Sequence, residues 1–254
     1  MRIIKSIIVA FSMYSRIPMP RFAWGSDDMK YHLIFFPWIG AVIGGIEYLW
    51  LLFSEKYQIE HIVFTLIALA IPLIITGGFH LDGYMDTSDA LSSYQEKEKR
   101  LEILKDPHIG AFSVIKVCIY GLIMISSVYS MDRAGFLAWL FMFFIARTVS
   151  GICVIRYKKA KSNGILKTEA ETASDKAVVI GLAIQLVAVA MVAGAMYQYY
   201  WTACMVALAI ELVYYTYTAY SKFGGVTGDL AGWFVCKAEL LSAVFVALYT
   251  IILK

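Results

Sequence analysis

The sequence predicts an all-α integral membrane protein: a polytopic helical bundle of about seven transmembrane helices plus an N-terminal interfacial or re-entrant helix. Three observations carry that prediction. Of 254 residues, 60% are hydrophobic and 16% charged, with a mean hydropathy of +0.70, whereas a soluble domain carries about a quarter of its residues as charges. Apolar runs of about 18 residues or more, each long enough to cross a bilayer, recur along the chain. The basic residues, finally, collect in alternate connections between those runs.

The first element, Ile3 to Pro18, is apolar but short, and Ser12, Tyr14, Ser15 and Arg16 interrupt its end. It spans, re-enters or lies in the interface. No small-residue cleavage site follows it, so it does not read as a removed signal. Spans are expected at about 32–54, 60–79, 110–130, 135–155, 177–197, 202–220 and 232–252. Gly40, Gly44 and Gly45 in the first of these would let another helix approach closely. The longest polar region, 80–109, reads as a cytoplasmic helix against the bundle, with Leu91, Leu101 and Leu104 as its apolar stripe and Asp106-Pro107 as its break.

Lysines and arginines orient the bundle. Segment 156–176 carries Arg156, Lys158, Lys159, Lys161, Lys167 and Lys176; 80–109 carries Lys97, Lys99, Arg100 and Lys105; 221–237 carries Lys222 and Lys237. With seven spans these three fall on one side, the cytoplasm. The short connections 55–59, 131–134 and 198–201, and the terminal Lys254, fall opposite. No hydrophilic stretch is long enough for a second domain, so residues 1–254 form one membrane-embedded domain. Cys118, Cys153, Cys204 and Cys236 lie singly in or beside apolar spans, which argues against disulfides and zinc. The net charge of +3 suits anionic lipid headgroups or substrates, and nothing further supports nucleic-acid binding.

Directly after the second span stands Gly77-Gly78-Phe79-His80-Leu81-Asp82-Gly83-Tyr84-Met85-Asp86-Thr87-Ser88-Asp89. On a helix advancing about 100° per residue, Asp82, Asp86 and Asp89 share an arc of roughly 60°. Unpaired, they repel one another and resist burial beside hydrocarbon. A divalent cation resolves the conflict, and Mg²⁺ takes hard oxygen ligands together with a substrate phosphate. The plainer reading is a solvated helix start whose acids suit the positive end of the macrodipole. Close spacing and flanking glycines favour the metal, and with it an enzyme acting on a diphosphate.

Glu47, inside a span, is costly to bury unpaired and is read as a fourth metal carboxylate rather than a structural hydrogen bond. Ser221-Lys222-Phe223-Gly224-Gly225-Val226-Thr227-Gly228-Asp229 is either a phosphate cradle of backbone N–H groups and a lysine or a tight turn. Asp229 joins the metal ligands or caps the last span. Arg147, deep in a span, must pair with a carboxylate or a substrate phosphate. Arg16 binds substrate or snorkels at the interface. His80 and His108 read chiefly as boundary residues, with His80 also a candidate general base.

At these residues the chain resembles the cobalamin synthase (adenosylcobinamide-GDP ribazoletransferase) family. The matching stretches are Ser15–Pro18, Phe36–Gly40, Gly77–Ala90, Arg100–Asp106 with Ile109–Phe112, and Ser221–Lys222 with Gly224–Asp229, in order over essentially the whole chain. Pro107-His108 departs from the family's Ser-Arg or Pro-Arg, which would make His108 a weaker, pH-sensitive stand-in for an arginine.

The resemblance implies attack by a ribose hydroxyl of α-ribazole, or of its 5′-phosphate, on the diphosphate of adenosylcobinamide-GDP, with GMP leaving. It also implies a bacterial cytoplasmic (inner) membrane enzyme working on the cytoplasmic side. Such a displacement needs charge neutralisation and alignment. Mg²⁺ on Asp82, Asp86, Asp89 and Glu47 would supply part of it. Arg16, Lys105, Arg147 and Lys222, with Gly224, Gly225, Thr227 and Asp229, would bind substrate, and one carboxylate or His80 would take the hydroxyl proton. Whether the chain forms a homo-oligomer stays open.

The nearest competing readings are a CDP-alcohol phosphotransferase and an aromatic prenyltransferase. The former's motif adds an alanine-arginine pair and a further glycine between its acids, absent from Asp82-Gly83-Tyr84-Met85-Asp86; the latter usually carries two aspartate-rich motifs. A transporter would spread its charges at midplane depth, whereas these cluster at the cytoplasmic ends of spans.

Overall fold

The computed structural model describes residues 2–160 and 175–252. Expectations about Lys161, Lys167 and Lys254 lie outside the described residues. The helices are α1 (Arg2–Tyr14), α2 (Ser26–Met29), α3 (His32–Tyr57), α4 (His61–Thr76), α5 (Phe79–Ser92), α6 (Lys97–Ile103), α7 (Ala111–Ser130), α8 (Arg133–Arg156), α9 (Asp175–Thr218), a π-helical turn (Ala219–Phe223) and α10 (Gly228–Ile252). Among them α3, α7, α8, α9 and α10 are long and apolar enough to cross a membrane.

Central to the bundle is α8, whose Trp139, Met142, Phe143, Ile145 and Ala146 are fully buried. Against it lies α3, and the glycines explain how closely. A Cβ on Gly40 would sit 2.1 Å from the Phe143 carbonyl oxygen, and one on Gly44 3.2 Å from that of Leu140. The expected small-residue contact is therefore the α3–α8 crossing.

Although continuous by backbone hydrogen bonding, α9 breaks at Tyr197, where φ is −134° and ψ 32°. Its first half packs at the C-terminal end of α8, with Leu182 against Gly151. Tyr200 reaches the opposite end of α8, donating to Asp132 at 2.5 Å. Thr216 is back at the starting end, hydrogen bonded to Tyr157 at 2.8 Å. So α9 is a hairpin, and its halves are the two spans expected at 177–197 and 202–220.

α4 is shorter than expected and ends at Thr76. Gly77 and Gly78 both adopt left-handed φ, 65° and 80°, a pair that glycine alone accepts cheaply. The chain there turns through 93° from apolar α4 into α5, which is not itself among the helices long and apolar enough to cross a membrane. The polar region is two helices rather than one. The Ser92 and Ser93 hydroxyls donate back to the Ser88 and Ala90 carbonyls, and Tyr94 takes φ 53°; such local bonds compete with helix continuation.

The N-terminal helix is tied down at both ends. Near its start Ser6 donates to the Asp28 carbonyl at 3.0 Å and Lys5 pairs with Asp28 at 3.2 Å. At its end Tyr14 is hydrogen bonded to His32, and Arg16 N–H donates to the Ile75 carbonyl at 2.7 Å. α1 is thus tied at its start to α2 and at its end to the start of α3 and the end of α4. Thirteen residues reach only about 20 Å, short of a hydrocarbon core of about 30 Å. All four cysteines are free.

Candidate active site

Two glycines, one on each helix, let α5 cross α10 in backbone contact. A Cβ on Gly83 would lie 2.7 Å from the Asp229 carbonyl oxygen, and one on Gly232 3.1 Å from that of His80. This crossing brings Asp229 to the acidic face of α5. Burial first, then the charges of Asp82, Asp229 and Asp89, push the Asp86 carboxyl up to about 6. Asp82 is exposed, while Asp86, Asp89 and Asp229 are half-buried. Among the described residues no lysine or arginine forms an ion pair with Asp82, Asp86 or Asp89. Nor do any three His, Cys, Asp or Glu side chains converge at ligand distance on one point. The Asp89 carboxylate lies against Gly110, where a Cβ would sit 2.1 Å from Oδ1.

The glycine turn is held from behind. Val226 N–H donates to the Lys158 carbonyl at 2.8 Å and Ala160 N–H to the Val226 carbonyl at 3.0 Å. Gly225 has φ 155°, and its missing side chain would sit 2.4 Å from the Lys158 oxygen. The space that Gly225 leaves is therefore filled by the chain's own backbone. Gly224, at φ 72°, closes the π-helical turn. Thr227 caps α10, accepting from Leu230 N–H at 3.2 Å and bonding Asp229 Oδ2 at 3.4 Å. Lys222 is half-buried beside this turn.

The remaining expected site residues are placed as follows. Arg16 is exposed at the α4–α5 corner, its side chain occupying the space a Gly77 Cβ would need. Lys105 is exposed in the connection before α7. His108 is exposed and paired with Asp106 at 2.7 Å, a contact that holds the Asp106 carboxyl below its usual range.

Arg147 is 1% exposed and donates to Glu239 at 2.6 Å and to the Phe143 carbonyl at 2.7 Å. Of the two partners expected for it, the structure supplies the carboxylate. Glu47 is not brought to the acidic face. Its carboxylate is fully buried without a hydrogen-bond partner. It also lies eleven positions along α3 from Phe36, a rise on the order of 16 Å, and it is Phe36 that touches His80, at 5.6 Å between ring centroids. His80 is 5% exposed with both ring nitrogens unpartnered, between Phe36 and Phe79 rather than facing the acids.

Sequence reasoning missed Glu239 and Glu211, the latter paired with Lys237 at 3.1 Å. The rule that flagged Glu47, an ionisable group inside an apolar span, applies equally to both.

Comparison with known proteins places the chain. The family model described as cobalamin-5-phosphate synthase matches residues 6–247. An adenosylcobinamide-GDP ribazoletransferase of Lachnoclostridium phytofermentans is 38% identical over 98% of this chain and 95% of its own. One from Clostridium botulinum strain Alaska E43 is 31% identical over 97% and 98% respectively, and one from Listeria monocytogenes serotype 4b is 30% identical over 90% and 91%. No solved structure matches. The match spans nearly the whole chain and every segment that builds the acidic crossing, and the chain belongs to the cobalamin-5-phosphate synthase family.

Proposed function

We propose that this chain joins α-ribazole, or α-ribazole 5′-phosphate, to adenosylcobinamide-GDP with release of GMP, at the cytoplasmic face of a bacterial inner membrane. The single observation that carries the reading is the set of α5 carboxylates, Asp82, Asp86 and Asp89, which among the described residues form no ion pair and stand where α5 crosses α10. Its donor set suits magnesium: all hard oxygens, with the mutual repulsion of Asp82, Asp86 and Asp89 relieved by no lysine or arginine among the described residues. Magnesium keeps several waters and binds through one or two carboxylates plus substrate phosphates, so the acids need not all meet at one point.

Asp82 and Asp86, backed by Asp89 and Asp229, are the residues that would hold it. When bound, it supplies charge neutralisation at the phosphate oxygens. The protein's own part is alignment. The α5–α10 crossing and the Gly224–Asp229 turn fix the donor's diphosphate against the acceptor hydroxyl, and one carboxylate of the face takes the hydroxyl proton. Burial of His80 between aromatic rings leaves that task to the carboxylates.

Purified protein in nanodiscs, given adenosylcobinamide-GDP, should release GMP when α-ribazole is added and Mg²⁺ or Mn²⁺ is present. Full turnover in excess chelator would remove the metal, and absence of GMP release would remove the transferase. For orientation, Ser93→Cys and Ser221→Cys should label from the cytoplasmic side only, and Gln198→Cys from the opposite side.

A further inference from the structure

Pairing Arg147 with Glu239 takes the most deeply placed cation out of reach of a substrate phosphate, so anion charge at the site must come from elsewhere. Lys97 and Arg100 both reach the glycine turn, Arg100 through the backbone of Lys222. Lys97 opens α6 and is exposed; its side chain lies across Gly224, where a Cβ would come within 2.4 Å of both Cε and Nζ. Arg100 follows on the same face of α6 and donates from Nη1 to the Lys222 carbonyl at 3.4 Å, while its Nε is buried with no partner. Lys222, whose carbonyl takes that bond, adds a third, half-buried cation in the same turn.

Acids stand close by on α6, yet Glu102 pairs with Lys99 at 2.8 Å. Among the described residues none of Lys97, Arg100 and Lys222 forms an ion pair. The two chain segments that carry this group, α5 into α6 and the π-turn into α10, are also the two that carry the acids. Cations and carboxylates therefore sit on one rim, joined by Gly224–Asp229.

We propose that Lys97, Arg100 and Lys222 form a phosphate-binding site beside the acidic crossing, recognising a nucleotide phosphate of the substrates. An arginine with an unused N–H and two lysine ammonium groups is the donor set that phosphate oxygens take, and charge-assisted bonds of this kind are the strong ones. Which phosphate is bound rests on the transferase reading. The site holds either the donor's diphosphate or the acceptor's 5′-phosphate.

The test uses full-length protein in phosphatidylcholine nanodiscs, comparing wild type with Lys97→Gln, Arg100→Gln and Arg100→Lys. Both glutamine variants should raise a substrate KM about tenfold or more while changing kcat far less, with Arg100→Lys recovering part of the loss. A rise confined to α-ribazole 5′-phosphate, with α-ribazole unaffected, places the acceptor's phosphate here. A rise for adenosylcobinamide-GDP with either acceptor places the donor's diphosphate here. Lys97 is exposed, so its variant stays informative if Arg100→Gln fails to fold.

Calorimetric binding of inorganic pyrophosphate and of GMP needs no turnover and separates the two failures. Binding that depends on Lys97 and Arg100 in a protein that releases no GMP keeps this site and removes the transferase. Unchanged KM values and unchanged pyrophosphate binding overturn the site. The same holds if, in nanodiscs with added phosphatidylglycerol, the variants alter only retention of that lipid.

Discussion

At one end of the bundle the polar groups are matched. Asp132 accepts from Gly135 N–H at 2.8 Å, capping α8, and receives the Tyr200 hydroxyl at 2.5 Å. Arg133 pairs with Glu55 at 2.7 Å, and His61 is hydrogen bonded to the Tyr129 carbonyl at 2.8 Å. At the other end the α5 carboxylates stand together without ion pairs among the described residues. Lys97, Arg100 and Lys222 likewise form no ion pair there, and the backbone is forced through left-handed glycines at 77, 78 and 224. Both ends use the same residue types. The first end uses them to close helices, and the second keeps like charges adjacent at a cost that folding alone does not require. That difference is what the proposed transferase site rests on.

Between the two ends the Arg147–Glu239 pair ties α8 to α10, and disrupting it should have the largest effect. Arg147→Met leaves a buried carboxylate unpaired and should cost about 3–5 kcal/mol of stability. Combining it with Glu239→Gln should recover much of that. Denaturation of the two variants in detergent reads this. Loss of activity with unchanged stability would instead move Arg147 into the proposed site.

Next in size is Asp86→Asn, expected to lower turnover by about 10²–10³ without lowering thermal stability, since it removes a repelled charge. The pH dependence has a definite sign. A carboxyl raised to about 6 when folded binds more protons than the unfolded chain between about 4 and 6. Metal-free protein should therefore lose stability as pH rises through that window, and Mg²⁺ should restore it. Melting temperatures against pH, with and without Mg²⁺ and in Asp86→Asn, check both statements. A flat profile in metal-free wild type would break the contrast between the ends.

Gly225→Val should cost about 1–3 kcal/mol through overpacking, because its side chain would meet the Lys158–Ala160 backbone. A variant with normal melting and poor turnover would return Gly225 to substrate contact. The smallest expected effect belongs to the matched end. Asp132→Ala should cost about 1 kcal/mol of stability through the lost cap and leave KM values untouched.

Much of the molecule was legible in the chain itself. Spans follow from apolar run length, the acidic face of α5 from a spacing of four and three residues, and the Gly40–Gly44 approach from its pattern. Other features were not. The 177–197 and 202–220 spans were expected, but nothing local says that they stack as a hairpin along α8. Glu47 and Glu239 look alike in sequence, each a lone acid in an apolar helix, yet only Glu239 meets an arginine. Gly225 looks like a cradle for phosphate, and a second segment of chain fills its space.

By itself the sequence determined what depends on neighbours along the chain: hydropathy, helical period, turn chemistry at Gly77-Gly78, and the residue types offered at each polar end. Tertiary structure decided which of those groups meet. Asp229 stands with the α5 acids because Gly83 and Gly232 let two helices touch, and Lys97 reaches the glycine turn because the chain breaks after Ser93. Such meetings depend on ångström-scale approach between segments about 150 residues apart, a distance across which local periodicity carries no information.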